Sequence, residues 1–468
     1  MSIPFLVNIL ALLFSLFVAG AVLGAVFSHT ETGSRVIAQA RQKLRVLMFG
    51  WEFPPFNSGG LGVACLGLTR SLANKDLDLV FVMPKRLPDA VPFAKMVSAQ
   101  IDQAPAGDGH TITYTVADYS INSPVTPYVS SGVYADNKDG LRYEDGTPVY
   151  GADLVSEARR YAKLGGAIAA REPHDLIYAH DWLSFGAGKE AKRISRKPFI
   201  AHVHSTEFDR TGGDTIDQRV YDLERAGMHA ADRVVAVSGR TKRSVVDRYG
   251  VPEDKVHVVW NGIDETTAPT PDPATPARLS ALKKAGYKIV LFLGRITIQK
   301  GPDYFVRAAR RVIDRDPNVL FILAGSGDME RQMMHLAASL GIADKMLFPG
   351  FLRGHDQHEA YALADLFVMP SVSEPFGLAA LEAMRIGTPV IVSKQSGVAE
   401  AVESALKVDF WDVEKMADLM LSVLESPALR EELSRKGAAE AASLTWDRSA
   451  EEIRSLMDRV AVPALRAA

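Results

Sequence analysis

From Asp365 to Val392 the chain reads D-L-F-V-M, then P-S-V-S-E-P-F-G, then L-A-A-L-E-A-M-R-I-G, then T-P-V-I-V. The first run is a short buried strand stopped at Pro370, and Ser371–Gly377 is a loop punctuated by Ser, Pro and Gly. Strong helix formers follow from Leu378 until Gly387 and Pro389 end them, and Val390-Ile391-Val392 opens another strand. A strand, a glycine loop and a helix N-terminus in that order form an anion cradle, because the free N–H groups of Gly377, Leu378 and Ala379 point outward together. Two carboxylates flank it. Phosphate repels a carboxylate, so Glu374 in the loop suits sugar hydroxyls, and Glu382, one turn into the helix, suits the diol of a ribose.

The same alternation of apolar strands and helices runs through the rest of the chain and predicts an α/β protein of two doubly wound, Rossmann-like domains. The predicted divisions are an apolar segment and basic linker (1–43), a first domain (44–264) and a proline-rich linker (265–287). A second domain (288–445) and a last helix (446–468) complete the chain. Residues 88–150 are rich in Pro, Gly, Asp and Ser and read as an irregular insertion. After Val392 the pattern predicts the loop Ser396–Glu400, two short strands and amphipathic helices.

Several strand ends carry chemistry. Arg295 ends K-I-V-L-F-L-G-R, and Lys300 follows before Gly301-Pro302. Cations held there stabilise a departing diphosphate more than the bound ground state. Gly59, Gly60 and Gly62 permit close backbone approach where a Cβ would block it. Asp181 ends D-L-I-Y-A-H-D, and P-F-I-A-H-V-H places His202 and His204 two residues apart on one strand face. No third ligand of suitable spacing follows them, so no metal is expected. Asp76-Leu77-Asp78 has D-x-D spacing but stands at the mouth of a strand, and is taken as chance. The single cysteine, Cys65, rules out an internal disulfide framework and a cysteine zinc site. A balance of 53 basic against 56 acidic residues gives no electrostatic case for nucleic acid.

Residues 3–27 are uncharged and long enough to span a bilayer as a helix. Nothing basic precedes them, as a signal peptide would require, whereas Arg35, Arg41, Lys43 and Arg45 follow. The expectation is an anchor with the remaining chain on the cytoplasmic side of the membrane; the alternatives are a signal peptide cleaved near the small residues of Ala19–Ala25, or a wrongly chosen start.

S-E-P-F-G-L-A-A-L-E-A-M resembles the E-x7-E signature of retaining nucleotide-sugar glycosyltransferases of the GT-B fold, family four and the related glycogen and starch synthases. G-W-E-F-P-P-F-N-S-G-G-L-G (50–62), A-H-D-W (179–182), H-S-T-E-F-D (204–209), N-G-I-D (261–264) and G-R-I-T-I-Q-K-G (294–301) stand in the family's order. The resemblance implies that Glu374 holds sugar hydroxyls, and Arg295 and Lys300 the diphosphate. Gly59, Gly60, Phe376, Gly377, Leu378 and Ala379 would line the donor, with Glu382 on the ribose. His204 would contact the donor hexose, with Asp181, Ser205 and Glu207 beside it. Met346–Leu352 would hold the base through its backbone. The implied reaction is front-face transfer with retention and needs no metal, no cofactor and no protein base. Ser58 and Ser205 depart from the lysine and asparagine of glycogen synthases. The resemblance leads to α-glucosyl transfer from ADP- or UDP-glucose to a glucan, whereas the anchor favours an envelope polysaccharide or lipid-linked acceptor. A sugar-nucleotide sensor or scaffold is the reading from another class. Oligomeric state is open.

Overall fold

The computed structural model describes residues 43–54, 60–84, 92–98, 154–264 and 283–467. The apolar run 3–27, Ser58, Gly59 and the proline-rich stretch 265–278 lie outside the described residues, as does most of the insertion 88–150. Among the described residues no helix is long and apolar enough to cross a membrane.

The first sheet comprises β1 (Leu44–Phe49), β2 (Leu77–Met83), β3 (Lys95–Ser98), β4 (Leu176–His180), β5 (Phe199–Val203), β6 (Arg233–Ala236) and β7 (Val256–Val258). Their order is β3-β2-β1-β4-β5-β6-β7. The second comprises β8 (Lys288–Leu293), β9 (Val319–Ala324), β10 (Met346–Gly350), β11 (Leu366–Met369), β12 (Val390–Ser393) and β13 (Leu406–Val408), in the order β10-β9-β8-β11-β12-β13. All recorded pairings are parallel, for example Ile177 with Phe199 and Phe367 with Val390. Parallel strands are covered on both faces, so they appear as unbroken apolar runs. L-I-Y-A-H, F-I-A-H-V and V-L-F-I-L-A are buried along their whole length.

Each sheet reverses direction beside its first strand. β2 and β3 lie on one side of β1 and β4 on the other; β9 and β10 lie on one side of β8 and β11 on the other. Loops diverge at such switch points and leave a crevice at the carboxyl ends of the strands. Those ends carry His180 and Asp181 in the first sheet, and Gly294, Arg295 and Ser371 in the second.

Two sequence expectations need correction. Lys95–Ser98 is an edge strand inside the stretch read as irregular, and its two apolar residues are too few to show a period. After β12 there is a single strand, β13. Val398–Ala401, read as loop, is a short helix, because Gly397 leads into a turn that packs Val398 into the core.

The final helix, Trp446–Ala467, lies against the helix Gly60–Ala73 of the first sheet's layer. Ser449 Oγ donates to the Trp260 carbonyl at 2.6 Å, and Arg454 Nε to that of Lys75 at 3.0 Å.

Candidate active site

A cavity of about 460 Å³ opens at the two switch points. Gly60, His204 and Ser205 line it from the first sheet's side, and Arg295, Lys300 and Glu374 from the second's.

The Glu374 loop is built largely by backbone. The carbonyl of Gln299 accepts N–H bonds from Val372 (2.9 Å) and Ser373 (3.3 Å). Glu374 donates its N–H to the Gln395 carbonyl and accepts from Gly397, at 3.0 and 2.9 Å. Gly301 makes this close approach possible: its φ is +63°, and a Cβ there would stand 2.3 Å from the Pro370 carbonyl oxygen. The Glu374 carboxylate, buried at 6% exposure, forms an ion pair with Lys300 and accepts from Ser371 Oγ at 3.2 Å. Arg295 Nη2 donates to Gln299 Oε1 at 2.7 Å, which fixes the guanidinium beside the same loop.

Gly377 has φ +115°, with Met369 Cε 2.8 Å from where its Cβ would be. It caps the helix Leu378–Ile386, and no side chain caps that N-terminus. Leu378 and Ala379 therefore present their first-turn N–H groups on the cavity wall. Phe376 lines the same wall while packing into the second core. Glu382 receives Gln357 Nε2 at 2.9 Å and the Tyr361 hydroxyl at 3.0 Å, both on Oε2. Burial raises its pKa above the usual glutamate value, and those two donors oppose the shift.

On the opposite wall His204 lies just past β5, at 7% exposure, and its Nε2 is 2.9 Å from His180 Nδ1. Burial lowers the pKa of His204 and His202 well below the usual value and that of His180 to about 3. The three rings are therefore neutral at ordinary pH. His202 stands beside His204 as expected, with ring centroids 4.0 Å apart, and also bonds the Tyr178 hydroxyl through Nδ1 at 2.9 Å.

Asp181 does not line the cavity. Its Oδ1 accepts the N–H of His204 at 2.6 Å and of Ser205 at 3.3 Å, so it holds the strand end from beneath. Burial pushes its pKa up to about 7, against the charge of Arg210 and the two N–H donors. Glu207 is likewise engaged within the fold, pairing with Arg210 and accepting the N–H of Asp217 at 3.2 Å. Asp78, from the D-x-D spacing, is an exposed position of β2.

Sequence reasoning missed the clamp on the Glu374 loop. Ser373 Oγ donates to Asp209 Oδ1 at 2.6 Å, and Arg240 Nη2 to Ser373 Oγ at 3.2 Å. Ser238 Oγ donates to the Pro375 carbonyl at 2.7 Å. Asp209, Ser238 and Arg240 belong to the first sheet's layers, and Ser373 and Pro375 to the second's. Asp209 stood in H-S-T-E-F-D, but nothing local announces its partner 164 residues away. Gln357 and Tyr361, which orient Glu382, were also missed. They stand one turn apart on the helix Gly354–Leu363, a spacing that was there to be noticed.

Residues 276–440 match the family described as Glycosyl transferases group 1, and residues 132–267 match Glycosyltransferase Family 4. An uncharacterized glycosyltransferase of Methanocaldococcus jannaschii is 30% identical over 371 residues, covering 77% of this chain and 83% of that protein. The D-inositol 3-phosphate glycosyltransferase of Acidothermus cellulolyticus is 35% identical over 308 residues, 61% of this chain and 68% of that protein. Among solved structures, a sucrose-phosphate synthase of Thermosynechococcus elongatus superposes with TM-score 0.67 at 20% identity, covering 89% of this chain and 98% of that one. Anabaena HepE, solved with UDP and glucose, superposes with TM-score 0.62 at 18% identity over 89% of this chain and 100% of the other. These two show the fold. With the relatives, they establish that the chain belongs to the family-4-like glycosyltransferases of the GT-B fold.

Proposed function

We propose that the chain moves a hexose from a nucleoside-diphosphate sugar to a saccharide acceptor with retention of configuration. The observation that carries this is the convergence, on one cavity, of the Lys300–Glu374 pair, the uncapped helix N-terminus at Leu378–Ala379 and the Glu382 carboxylate. In this reading the N-terminus and Arg295 receive the diphosphate, while Lys300 bridges it to Glu374. Pairing with Lys300 lets a carboxylate stand beside phosphate without net repulsion, freeing its other lone pairs for sugar hydroxyls. Charge grows on the diphosphate as the glycosidic bond breaks, so fixed donors there favour the transition state over the ground state. Both recorded bonds of Glu382 fall on Oε2, and Oε1 is the oxygen offered to the ribose diol. Among the described residues, a Cβ at Gly60 would find Leu378 Cδ1 at 3.9 Å and nothing closer, so their packing does not require that glycine. In this reading the glycine leaves room for the diphosphate to approach the backbone, as the family's glycine loop implies. His204, neutral and on the cavity wall, is assigned to the hexose; no metal or cofactor is needed for any of these contacts.

HepE was solved with UDP and glucose, which supports a UDP-hexose as the first donor to try. The leading acceptor reading is a glucan, as in glycogen synthases. The apolar run 3–27 favours an envelope polysaccharide or lipid-linked acceptor on the cytoplasmic face of a membrane. Relatives described as D-inositol 3-phosphate glycosyltransferases favour a small phosphorylated polyol instead.

The test is release of nucleoside diphosphate from UDP-, ADP- and GDP-hexoses, with and without glycogen. Glu374→Ala and Lys300→Ala are each expected to lose on the order of 100-fold in turnover, since removing one transition-state contact costs about 2.7–4 kcal/mol. Near-normal rates in either variant would withdraw the site assignment.

A further inference from the structure

Next to the His204–Ser205 wall lies a buried ion cluster that none of the proposed contacts uses. Arg210 and Glu207 belong to the short helix Glu207–Thr211, and Glu224 to the helix Gln218–Ala230. Both carboxylates are buried, Glu207 at 7% exposure and Glu224 at 2%. Arg210 Nε donates to Glu207 Oε2 at 3.1 Å, and its Nη2 pairs with both Glu207 and Glu224. Glu224 Oε2 in turn accepts the Glu207 N–H at 3.1 Å and the Tyr249 hydroxyl. Withdrawing charges from water is costly even when they are paired, and apolar replacements of such a cluster are often no less stable. Its presence points to geometry rather than to stability alone.

The remaining arm of the guanidinium shows which geometry. Arginine presents its donors in a rigid plane, so tying Nε and Nη2 to two carboxylates fixes the position of Nη1. Nη1 donates to Ser205 Oγ at 3.0 Å and to the Ser205 carbonyl at 3.4 Å. The Ser205 N–H is given to Asp181 Oδ1 at 3.3 Å. All three polar groups of Ser205 are therefore held, by one carboxylate and one guanidinium, in a residue that lines the cavity. A hydroxyl has one proton and two lone pairs. The guanidinium engages a lone pair, and among the described residues the proton meets no acceptor. An oxygen that accepts from a cation is polarised into a stronger donor.

We propose that Arg210 is a positioning residue for the transfer reaction: braced on Glu207 and Glu224, it sets Ser205 so that the serine hydroxyl donates to an oxygen of the bound hexose. This rests on the transferase reading of the cavity. Lysine is no substitute at this position, because an ammonium is a point charge on a flexible stem and cannot hold two carboxylates and a serine in one plane.

The experiment is a double-mutant cycle on the full chain, with Arg210→Lys, Ser205→Ala and the pair read in donor kcat and KM. Arg210→Lys keeps the charge of the cluster and loses the fork. A misplacement of about 1 Å costs on the order of 100-fold, so its kcat/KM should fall by about 10- to 100-fold. In the Ser205→Ala background the same change should cost less than about threefold, because the group it places is gone. Donor KM should rise in both single variants, whereas a merely destabilised protein loses active fraction and lowers kcat alone. Ser205→Thr, which keeps a hydroxyl, should remain sensitive to Arg210→Lys. Losses that multiply independently, or an unchanged kcat/KM in Arg210→Lys, overturn the proposal. If Arg210→Lys fails to fold, Glu224→Gln replaces it, removing one brace while Arg210 stays paired with Glu207. Crystal structures of ligand-free wild type and variant read the placement without any substrate, and Ser205 Oγ should shift by about 0.5 Å or more. An unmoved Ser205 overturns the positioning role. A wild type that turns over no donor is a failure of the transferase reading, and the crystallographic comparison still decides the placement.

Discussion

Gly301→Ala tests how the Glu374 loop is placed. Gly301 has φ +63°, where an L-residue costs about 1–2 kcal/mol. Its added Cβ would also stand 2.3 Å from the Pro370 oxygen, and contacts under 3.0 Å are essentially never tolerated. The difference, 3.0 − 2.3, requires the strand end to retreat by at least 0.7 Å. Pro370 leads directly into Ser371 and Glu374, so the displacement passes to the carboxylate. A misplacement of about 1 Å costs on the order of 100-fold in rate. The expected result is a 10- to 100-fold drop in kcat/KM for donor hydrolysis, with stability lowered by about 2 kcal/mol or more. Gly286→Ala is the control, because its φ is +88° and no atom of the described residues lies within 4 Å of its would-be Cβ. It carries the same backbone cost, about 1–2 kcal/mol, without the clash or the site. Urea denaturation and steady-state kinetics on both variants separate the two effects. Wild-type turnover in Gly301→Ala, with a stability loss no larger than that of Gly286→Ala, refutes the reasoning.

Two further predictions concern the cavity walls. Ser373→Ala removes a 2.6 Å donor to the buried Asp209 carboxylate and one tie across the clamp. A hydrogen bond to a charged group contributes about 1.5–3 kcal/mol, so donor KM should rise tenfold or more, and Ser373→Thr should restore part of it. Burial raises the Glu382 pKa in the folded protein, so between about pH 4.5, its unfolded value, and that higher value the folded state holds more protons. Stability from this group is therefore full below pH 4.5 and falls as pH rises through the window, by at most about 1.4 kcal/mol per unit. Glu382→Gln should flatten that slope in urea midpoints measured from pH 4.5 upward, and an unchanged slope would show that Glu382 titrates normally.

Much of this architecture was legible because parallel sheets write themselves plainly. Runs such as V-L-F-I-L-A have no polar face to conceal, and Gly or Pro ends most of them. The cradle at Gly377–Ala379 was visible for the same local reason: strand, glycine and helix former stand in sequence. Contacts across the cleft were not legible. The pairing of Ser373 with Asp209 depends on how two sheets meet, and neither residue has an unusual neighbourhood in the chain. Asp181 shows a subtler miss: its place at a strand end was read correctly, but its left-handed φ of +58° turns the side chain beneath His204 rather than toward the cavity. Lys95–Ser98 was missed because an edge strand of four residues shows no period.

The most direct test of the central claim is the anomeric configuration of the sugar transferred by the purified full chain. Proton NMR would follow turnover of UDP-, ADP- and GDP-hexoses from the first minutes. The account predicts release of nucleoside diphosphate, a product with the donor's α configuration, and loss of both in Glu374→Ala. A β-configured product would contradict the retaining mechanism. Tight donor binding without turnover of any donor would contradict the enzyme and place a sugar-nucleotide sensor first.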